Sequence, residues 1–180
     1  VSCGNTNVWS HQVTIVRPSN AQMTNLASVY LTGGTVGTAA SEASYFNTEF
    51  ADVYTNGLFA ANFSGIFVMV TNLPYQPCTF TDLTSSPDLT EDNLIAKTWG
   101  KILSDSSAPI DYNGYFPMVK AGKTVLDVLQ SYSATLVQAG SWDVALSQFY
   151  LLGASKRGAA TWLLLAYESS KTDARVIGAA

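Results

Sequence analysis

Residues 148–162 read QFYLLGASKRGAATW. The apolar start of this stretch is typical of a short buried strand, and the residues from Lys156 onward have the pattern of a helix that is apolar on most sides. Ser155 lies between the two, three residues after Leu152. Because active sites of open parallel sheets lie at the carboxyl ends of strands, this position favours a catalytic role for Ser155.

The sequence around Ser155 indicates a nucleophile elbow, a strained strand-to-helix turn that projects a serine hydroxyl. Gly153 and Gly158 can relieve the crowding between strand and helix there. The spacing is G-x-S-x-x-G rather than the usual G-x-S-x-G, because Arg157 stands two residues after the serine. We therefore expect Arg157 to point away from the neighbouring strand, or the turn to be wider. The alternative role of Ser155 is a helix N-cap.

Two groups of backbone donors are candidates for an oxyanion site. The amide of Lys156 and the N-terminus of its helix face the space beside the serine hydroxyl, where negative charge develops in acyl transfer. A second donor should come from the loop after an earlier strand. Gly33 and Gly34 end such a strand and are the candidates for it, with an ordinary flexible turn as the alternative.

The rest of the chain alternates between apolar strands and helical segments. Such a pattern predicts an α/β fold with a mainly parallel sheet and helices on both faces. Strands are predicted at 11–16, 27–32, 66–71, 149–152 and 175–180, and helices at 49–63, from Glu91, from Pro117 to Leu136 and at 156–167. A last strand without a following helix leaves an apolar edge. We therefore expect residues 1–180 to form a single partial domain that continues beyond residue 180.

The sequence predicts three details of these helices. Thr90 is expected to cap the helix that begins with the acidic pair Glu91 and Asp92, which suit the positive end of the helix dipole. Leu94, Ile95, Trp99, Ile102 and Leu103 fall on one face of that helix. Gly122, inside the next helix, weakens it by about 1 kcal/mol relative to alanine, so a packing reason is expected there.

Composition excludes several classes of function. With 180 residues, 47% of them hydrophobic, the chain can bury one core. The net charge of −4, with no basic run, gives no basis for nucleic-acid binding, and no apolar run approaches the ~20 residues of a membrane span. Only 12% of the residues are charged, about half the usual ~25%. Something else is expected to cover part of the surface, for example the partners of a larger complex.

The cysteines and the single histidine are too few and too scattered for a metal cluster, so no metal is expected. The glycines of TGGTVG lack the P-loop lysine, and no cofactor is expected either. Cys3 and Cys78 are either one disulfide or two unpaired buried thiols. The sequon at residues 62–64 makes Asn62 a candidate N-glycosylation site, and with the low charge it favours a secreted or extracellular protein.

Several segments together resemble the PhoPQ-activated pathogenicity-related family, which includes the autocrine proliferation repressor proteins. These are VWSHQVTIVRP, LTGG, VTNLPYQP, LTEDNLIAKTWGKIL, YFPMVKAGKTVLDVL and the stretch from FYLLGASKRG to the end. The likeness runs from about Trp9 to residue 180, and PMVKA with GASKRG is its most specific part. It implies an α/β-hydrolase-like fold, of which this chain resembles the N-terminal half.

The resemblance assigns roles to the elbow residues. Ser155 occupies the position of the elbow serine, Lys156 and Arg157 those of the family's paired cations, and Ala159 replaces the tryptophan that usually follows SKRG. A cation directly after the serine is also similar to the GCSR elbow of glucuronoyl esterases, where it helps to hold the oxyanion. The side chain of Lys156 is therefore a candidate oxyanion donor, with a solvated surface lysine as the alternative.

A catalytic triad cannot be completed from these 180 residues. In α/β-hydrolases the chain order is serine, acid, histidine, and no histidine follows Ser155. His11 precedes it and is expected to be structural. Asp173 follows it but stands before the next predicted strand, at the wrong end of the sheet. This chain alone is expected to be inactive.

Two functions therefore stand as expectations. One is the nucleophile-bearing part of a secreted serine hydrolase acting on ester or peptide bonds, with the acid and histidine supplied by the remainder of the domain or by a companion chain. The other is a non-enzymatic secreted protein that keeps the hydrolase scaffold for signalling or for assembly into a larger complex, since a fold does not fix a function.

Overall fold

The computed structural model describes residues 2–3, 8–34, 57–58, 60–62, 64–80 and 88–180. These residues form seven strands, three α-helices and one 3₁₀ turn whose bounds are given below, and residues 57–58 and 60–62 are also helical. The strands are β1 (Ser2–Cys3), β2 (Val13–Val16), β3 (Met23–Leu31), β4 (Gly65–Val70), β5 (Cys78–Thr79), β6 (Gln148–Gly153) and β7 (Val176–Ala179). The helices are α1 (Glu91–Ser104), α2 (Tyr115–Gln138) and α3 (Lys156–Ser169), and the 3₁₀ turn spans Ile110–Tyr112.

Five of the strands form one sheet in the order β2-β4-β3-β6-β7. The last four run parallel to one another, and β2 is an antiparallel edge strand. The predicted α/β class with a mainly parallel sheet is confirmed. Each predicted strand is present, although β3 begins four residues earlier than predicted. Of the helix predicted at 49–63, residues 57–58 and 60–62 are helical, and 49–56 lie outside the described residues.

The core lies between one face of the sheet and helices α2 and α3. Val29 of β3 is fully buried between its register partners Val68 of β4 and Leu151 of β6. Alternate residues point to the other face, where Tyr30 and Tyr150 are only partly buried. Strands β4, β3 and β6 run parallel, so their carboxyl ends lie together. The residues that follow these strands therefore meet at one edge of the sheet.

Gly122 has the packing reason that the sequence predicted. It is buried where α2 crosses α3, and a Cβ atom on it would lie 2.9 Å from Cδ2 of Leu164 and 3.6 Å from Cδ1 of Leu31. The helix begins at Tyr115, two residues before Pro117. None of the helices in the described part of the chain is both long and apolar enough to cross a membrane.

Helix α1 differs from its prediction in two ways. Thr90 occupies the N-cap position, but its side chain makes no capping hydrogen bond. The amide of Glu91 instead donates to Oε1 of Gln76 at 2.7 Å, so a side chain from another loop takes over part of the capping. The predicted apolar face is only partly covered, since Leu94 is buried while Leu103 is 79% exposed.

A two-stranded ribbon lies apart from the main sheet. In it β1 pairs with β5 in antiparallel register, and the backbone of Cys3 lies directly opposite Cys78. Cys78 is buried and disulfide-bonded, so the alternative of an unpaired thiol is wrong for Cys78. The sequence holds one other cysteine, and the register supports Cys3 as the partner.

This bridge yields a stability prediction. Replacing Cys78 with alanine should lower the free energy of unfolding by about 2–5 kcal/mol, because the unfolded chain then regains the freedom of a long loop. Cys3→Ala should have the same effect, and the double variant should be no worse than either single one. Denaturant unfolding under non-reducing conditions measures this. Additive losses in the double variant would contradict the pairing.

Candidate functional site

The turn between β6 and α3 holds Ser155 in an unusual backbone conformation. Strand β6 ends at Gly153 and α3 begins at Lys156, so only two residues reverse the direction of the chain. Ser155 has φ 56° and ψ −125°, a positive φ combined with a ψ far from the left-handed helical region. Such a conformation is strained for a residue with a side chain and persists only where the surroundings enforce it.

The side chain of Ser155 is exposed. Ser155 stands at the N-cap position of α3, but its hydroxyl makes no capping hydrogen bond to the helix. The N-cap role that the sequence left open therefore does not account for this serine. A sharp bend with an outward-facing hydroxyl is the geometry of a nucleophile elbow.

Gly153 and Gly158 allow the strand and the helix to touch at this bend. A Cβ atom on Gly153 would lie 2.6 Å from the carbonyl carbon of Arg157 and 2.9 Å from the amide nitrogen of Gly158. A Cβ atom on Gly158 would in turn lie 2.9 Å from the carbonyl oxygen of Gly153. Both glycines are thus required by direct backbone contact, and the G-x-S-x-x-G spacing provides the relief from crowding.

The sequence predicted that Arg157 would point away from the neighbouring strand or that the turn would be wider, whereas its side chain extends to the end of β3. Its guanidinium lies beside Gly33, just past the end of β3, where any side chain at residue 33 would collide with it. Its Nε donates to the carbonyl oxygen of Leu73 at 2.7 Å, in the loop after β4. The missing Cβ of Gly33 provides the space, which is why the arginine can cross the strand end without widening the turn.

The two cations after Ser155 converge on the acidic start of α1. Nη1 of Arg157 donates to Oε2 of Glu91 at 3.0 Å, and Nη2 donates to Oε1 of the same carboxylate. Nζ of Lys156 also donates to Oε2 of Glu91 and lies 2.9 Å from Oδ1 of Asp92. The Lys156 side chain is 6% exposed, so it is not a solvated surface lysine. Its ammonium is engaged by carboxylates, which leaves its backbone amide as the oxyanion candidate.

Gln76 connects this cluster to the Gly33–Gly34 loop. It is 1% exposed, and its Nε2 donates to Oε1 of Glu91 at 2.7 Å and to the carbonyl oxygen of Gly34 at 2.9 Å. The carbonyl oxygen of Gly33 accepts from the amide of Asn72 at 3.0 Å. Gly34 has φ 142°, which favours glycine. Hydrogen bonds therefore hold the carbonyl groups of both Gly33 and Gly34.

The charges of the cluster cancel. Glu91 and Asp92 carry two negative charges and Lys156 and Arg157 two positive ones. Partial burial tends to raise the pKa of Glu91, but hydrogen bonds from Arg157, Lys156 and Gln76 outweigh it and lower the pKa to about 2. Desolvation tends to lower the pKa of Lys156, and its carboxylate partners outweigh this and raise it. Glu91 and Lys156 therefore both stay ionised near neutral pH, and the formal charges of the cluster sum to zero.

His11 lies at the same edge of the sheet but is engaged elsewhere. Its Nδ1 is 3.0 Å from the carbonyl oxygen of Thr71, and its ring stands edge-on to Trp9 and Tyr75. Its Nε2 is buried and has no hydrogen-bond partner within the described residues. Asp173 precedes β7, and because β7 runs parallel to β6 it lies at the opposite edge from Ser155. Neither side chain is joined to the elbow.

Glu91 and Gln76 were missed as site residues by sequence reasoning. The acidic pair at residues 91 and 92 was assigned only to the helix dipole, although Lys156 and Arg157 require anions nearby once they are largely withdrawn from solvent. Gln76 carried no signal, because its partners are distant in sequence. Across the described ranges, no group of three or more His, Cys, Asp or Glu side chains could hold a metal ion.

The chain is similar to known proteins. A model of the PhoPQ-activated pathogenicity-related protein family matches residues 2–180. Among curated proteins, the chain is 29% identical over 156 residues to autocrine proliferation repressor protein A of Dictyostelium discoideum. That alignment covers 87% of this chain but 28% of the relative's length. No solved structure matches significantly.

The contact between Gly153 and the helix yields a prediction with a matched control. Gly153→Ala should lower the free energy of unfolding by about 1–3 kcal/mol, because the new Cβ collides with backbone that cannot move aside. Gly100→Ala, on the exposed side of α1 where a Cβ meets nothing within 4 Å, should raise it by about 0.5–1 kcal/mol. Denaturant unfolding of both variants tests this. An equal gain in the two variants would show that the bend is not tightly packed.

His11 yields a prediction on pH. Burial lowers its pKa from 6.5, and hydrogen bonds with the carbonyl groups of Thr71 and Asn72 only partly offset this. The unfolded chain therefore binds a proton more readily than the folded one, and the free energy of unfolding should fall as pH drops below about 6.5. His11→Gln should remove this part of the acid sensitivity. Parallel stability curves for native and variant chains between pH 5 and 7.5 would contradict the prediction.

Proposed function

The chain belongs to the PhoPQ-activated pathogenicity-related protein family, and on that premise we propose that it carries the nucleophile of a serine hydrolase with an α/β-hydrolase-like fold. The observation that carries this proposal is the backbone of Ser155, bent to φ 56° between a central parallel strand and a helix, with the side chain exposed. Strain of this kind is found at functional sites, where it presents a reactive group.

The order of elements supports the hydrolase-like fold. In that fold the serine follows a strand of the main sheet, and the oxyanion is held by the amide of the next residue and by an amide from the loop after the third strand. Here the next residue is Lys156, and the loop after β3 contains Gly33 and Gly34. The elbow is adjacent to that loop, since the Arg157 guanidinium lies against Gly33.

The proposed reaction is acyl transfer to Ser155. The hydroxyl oxygen attacks the carbonyl carbon of an ester or peptide bond, and its proton passes to a histidine. The amide of Lys156 and the Gly33–Gly34 loop donate hydrogen bonds to the oxyanion. Collapse of the tetrahedral intermediate releases the alcohol or amine, which takes up the proton. Water then hydrolyses the acyl-enzyme and restores the serine.

The acid and the histidine are proposed to come from outside residues 1–180. His11 is the chain's single histidine and is held by Thr71, and the chain spans 28% of the length of its curated relative. They would lie on the remainder of the same domain or on a companion chain, and residues 1–180 alone would be inactive. A disulfide at Cys78 and an exposed Asn62 in a sequon support a secreted, N-glycosylated protein.

A second function has one observation in its favour. The curated relative is named for repression of proliferation, which describes a signalling effect and not a reaction. A secreted signalling protein that keeps the scaffold as part of a larger complex would fit this name. The two functions differ in what they require of Ser155, because a scaffold does not need its hydroxyl.

Ser155→Ala tests the proposal in the intact protein. Turnover of ester or peptide substrates should fall by at least about a thousandfold, because the covalent intermediate can no longer form. Ser170→Ala, at the other end of α3, is the matched control and should keep native turnover. Melting temperatures should confirm that both variants fold. Native turnover by Ser155→Ala would exclude the hydrolase mechanism, and retention of a biological effect alone would favour the scaffold.

A further inference from the structure

We propose that Glu91 is a positioning residue: its carboxylate links the elbow at Ser155 to the Gly33–Gly34 loop and so keeps the two donors of the oxyanion site aligned. This inference rests on the proposed hydrolase function and adds a residue to it. Glu91 lies 64 positions before Ser155, and it would not touch the substrate.

The elbow side of this link consists of ion pairs. Both oxygens of the Glu91 carboxylate accept hydrogen bonds from the Arg157 guanidinium, a two-point contact that fixes direction as well as distance. Lys156 adds a third bond to Oε2. These two cations occupy the first two positions of α3, immediately after Ser155. A shift of the carboxylate is therefore transmitted to Lys156, whose amide is the proposed oxyanion donor.

The loop side of the link passes through Gln76. Its side-chain amide accepts from the Glu91 amide and donates to the Glu91 carboxylate, so both parts of Glu91 are fixed by one partner. The same Nε2 donates to the carbonyl oxygen of Gly34. Arg157 reaches the same loop directly, since its guanidinium fills the space left by Gly33. Glu91 is thus bonded to Gln76 and Arg157, the two side chains that connect it to the glycines.

Backbone conformation points to the same residue. Glu91 has φ 49°, a left-handed value that is uncommon for glutamate, and Ser155 has φ 56°. Two strained residues are thus joined through the ion pairs between Glu91 and the cations that follow Ser155. Strain at both ends of one contact indicates that the surrounding structure holds this geometry in place of a relaxed one.

The chain contains a matched control for a carboxylate of this kind. Glu168 also bonds one arginine and one lysine, with Oε2 3.0 Å from Nε of Arg175 and Oε1 2.9 Å from Nζ of Lys171. It is 1% exposed and stands near the C-terminal end of α3, away from Ser155. Glu168→Gln therefore removes the same charge from a similar cluster without touching the elbow.

The experiment compares Glu91→Gln, Glu91→Asp and Glu168→Gln in the intact protein, with Ser155→Ala as the reference for loss of the nucleophile. Initial rates on an ester substrate give kcat and KM, the rate of labelling by a fluorophosphonate probe reports the serine directly, and thermal melting reports the fold. Glu91→Gln should lower kcat by about tenfold to a hundredfold with KM within twofold, because misaligned donors weaken the transition state and not substrate binding.

Glu91→Asp keeps the charge but shortens the side chain, and it should restore part of the loss in kcat. It also covers the case in which Glu91→Gln does not fold. Glu168→Gln should lose as much thermal stability as Glu91→Gln or more, yet keep kcat within twofold of native.

The results of these variants distinguish the positioning role of Glu91 from the proposed hydrolase function. Native kcat in folded Glu91→Gln or, if that variant does not fold, in Glu91→Asp, together with Ser155-dependent turnover, would overturn the positioning role and leave the hydrolase proposal standing. An equal loss of kcat in Glu168→Gln would overturn it as well, by attributing the effect to general destabilisation. Turnover that survives Ser155→Ala would remove both proposals together.

Discussion

The backbone of Ser155 is held at φ 56° and ψ −125° because the end of β6 and the first turn of α3 are in direct contact. Gly153 and Gly158 make that contact possible, since a side-chain carbon at either place would collide with the opposing backbone. The bend sets the direction of the serine hydroxyl, the amide of Lys156 and the side chain of Arg157. The side chain of Arg157 in turn contacts Glu91 and Gly33.

Lys156 and Arg157, the two cations that follow the serine, have a structural role. A lysine and an arginine beside a nucleophile could be expected to attract anionic substrates or to stabilise an oxyanion. Here each is paired with carboxylates of α1, and the cluster is neutral. Stabilisation of a developing negative charge would therefore depend on backbone amides, which are rigid and need no reorganisation during the reaction. Accurate alignment of those amides then matters more than net charge.

The sequence predicted the structural features that depend on residues close to one another along the chain. Apolar strands with helical segments between them gave the α/β class, and the glycines around Ser155 and at Gly122 were expected where contacts require them. Contacts between distant segments could not be predicted. Gln76 caps α1 in place of Thr90 because it stands in another loop, and Arg157 crosses the end of β3 because Gly33 leaves space. No local pattern reports such pairings. The helix predicted at 49–63 lies partly outside the described residues.

We propose that the bend at residues 153–158 directs the hydroxyl of Ser155 towards an electrophile beside the Lys156 amide. A crystal structure of the intact protein after reaction with a fluorophosphonate tests it most directly. We predict phosphorus bonded to Oγ of Ser155, with a phosphonyl oxygen within about 3 Å of the backbone nitrogen of Lys156. A phosphonyl group on a different residue, or an oxygen turned away from that amide, would contradict the account.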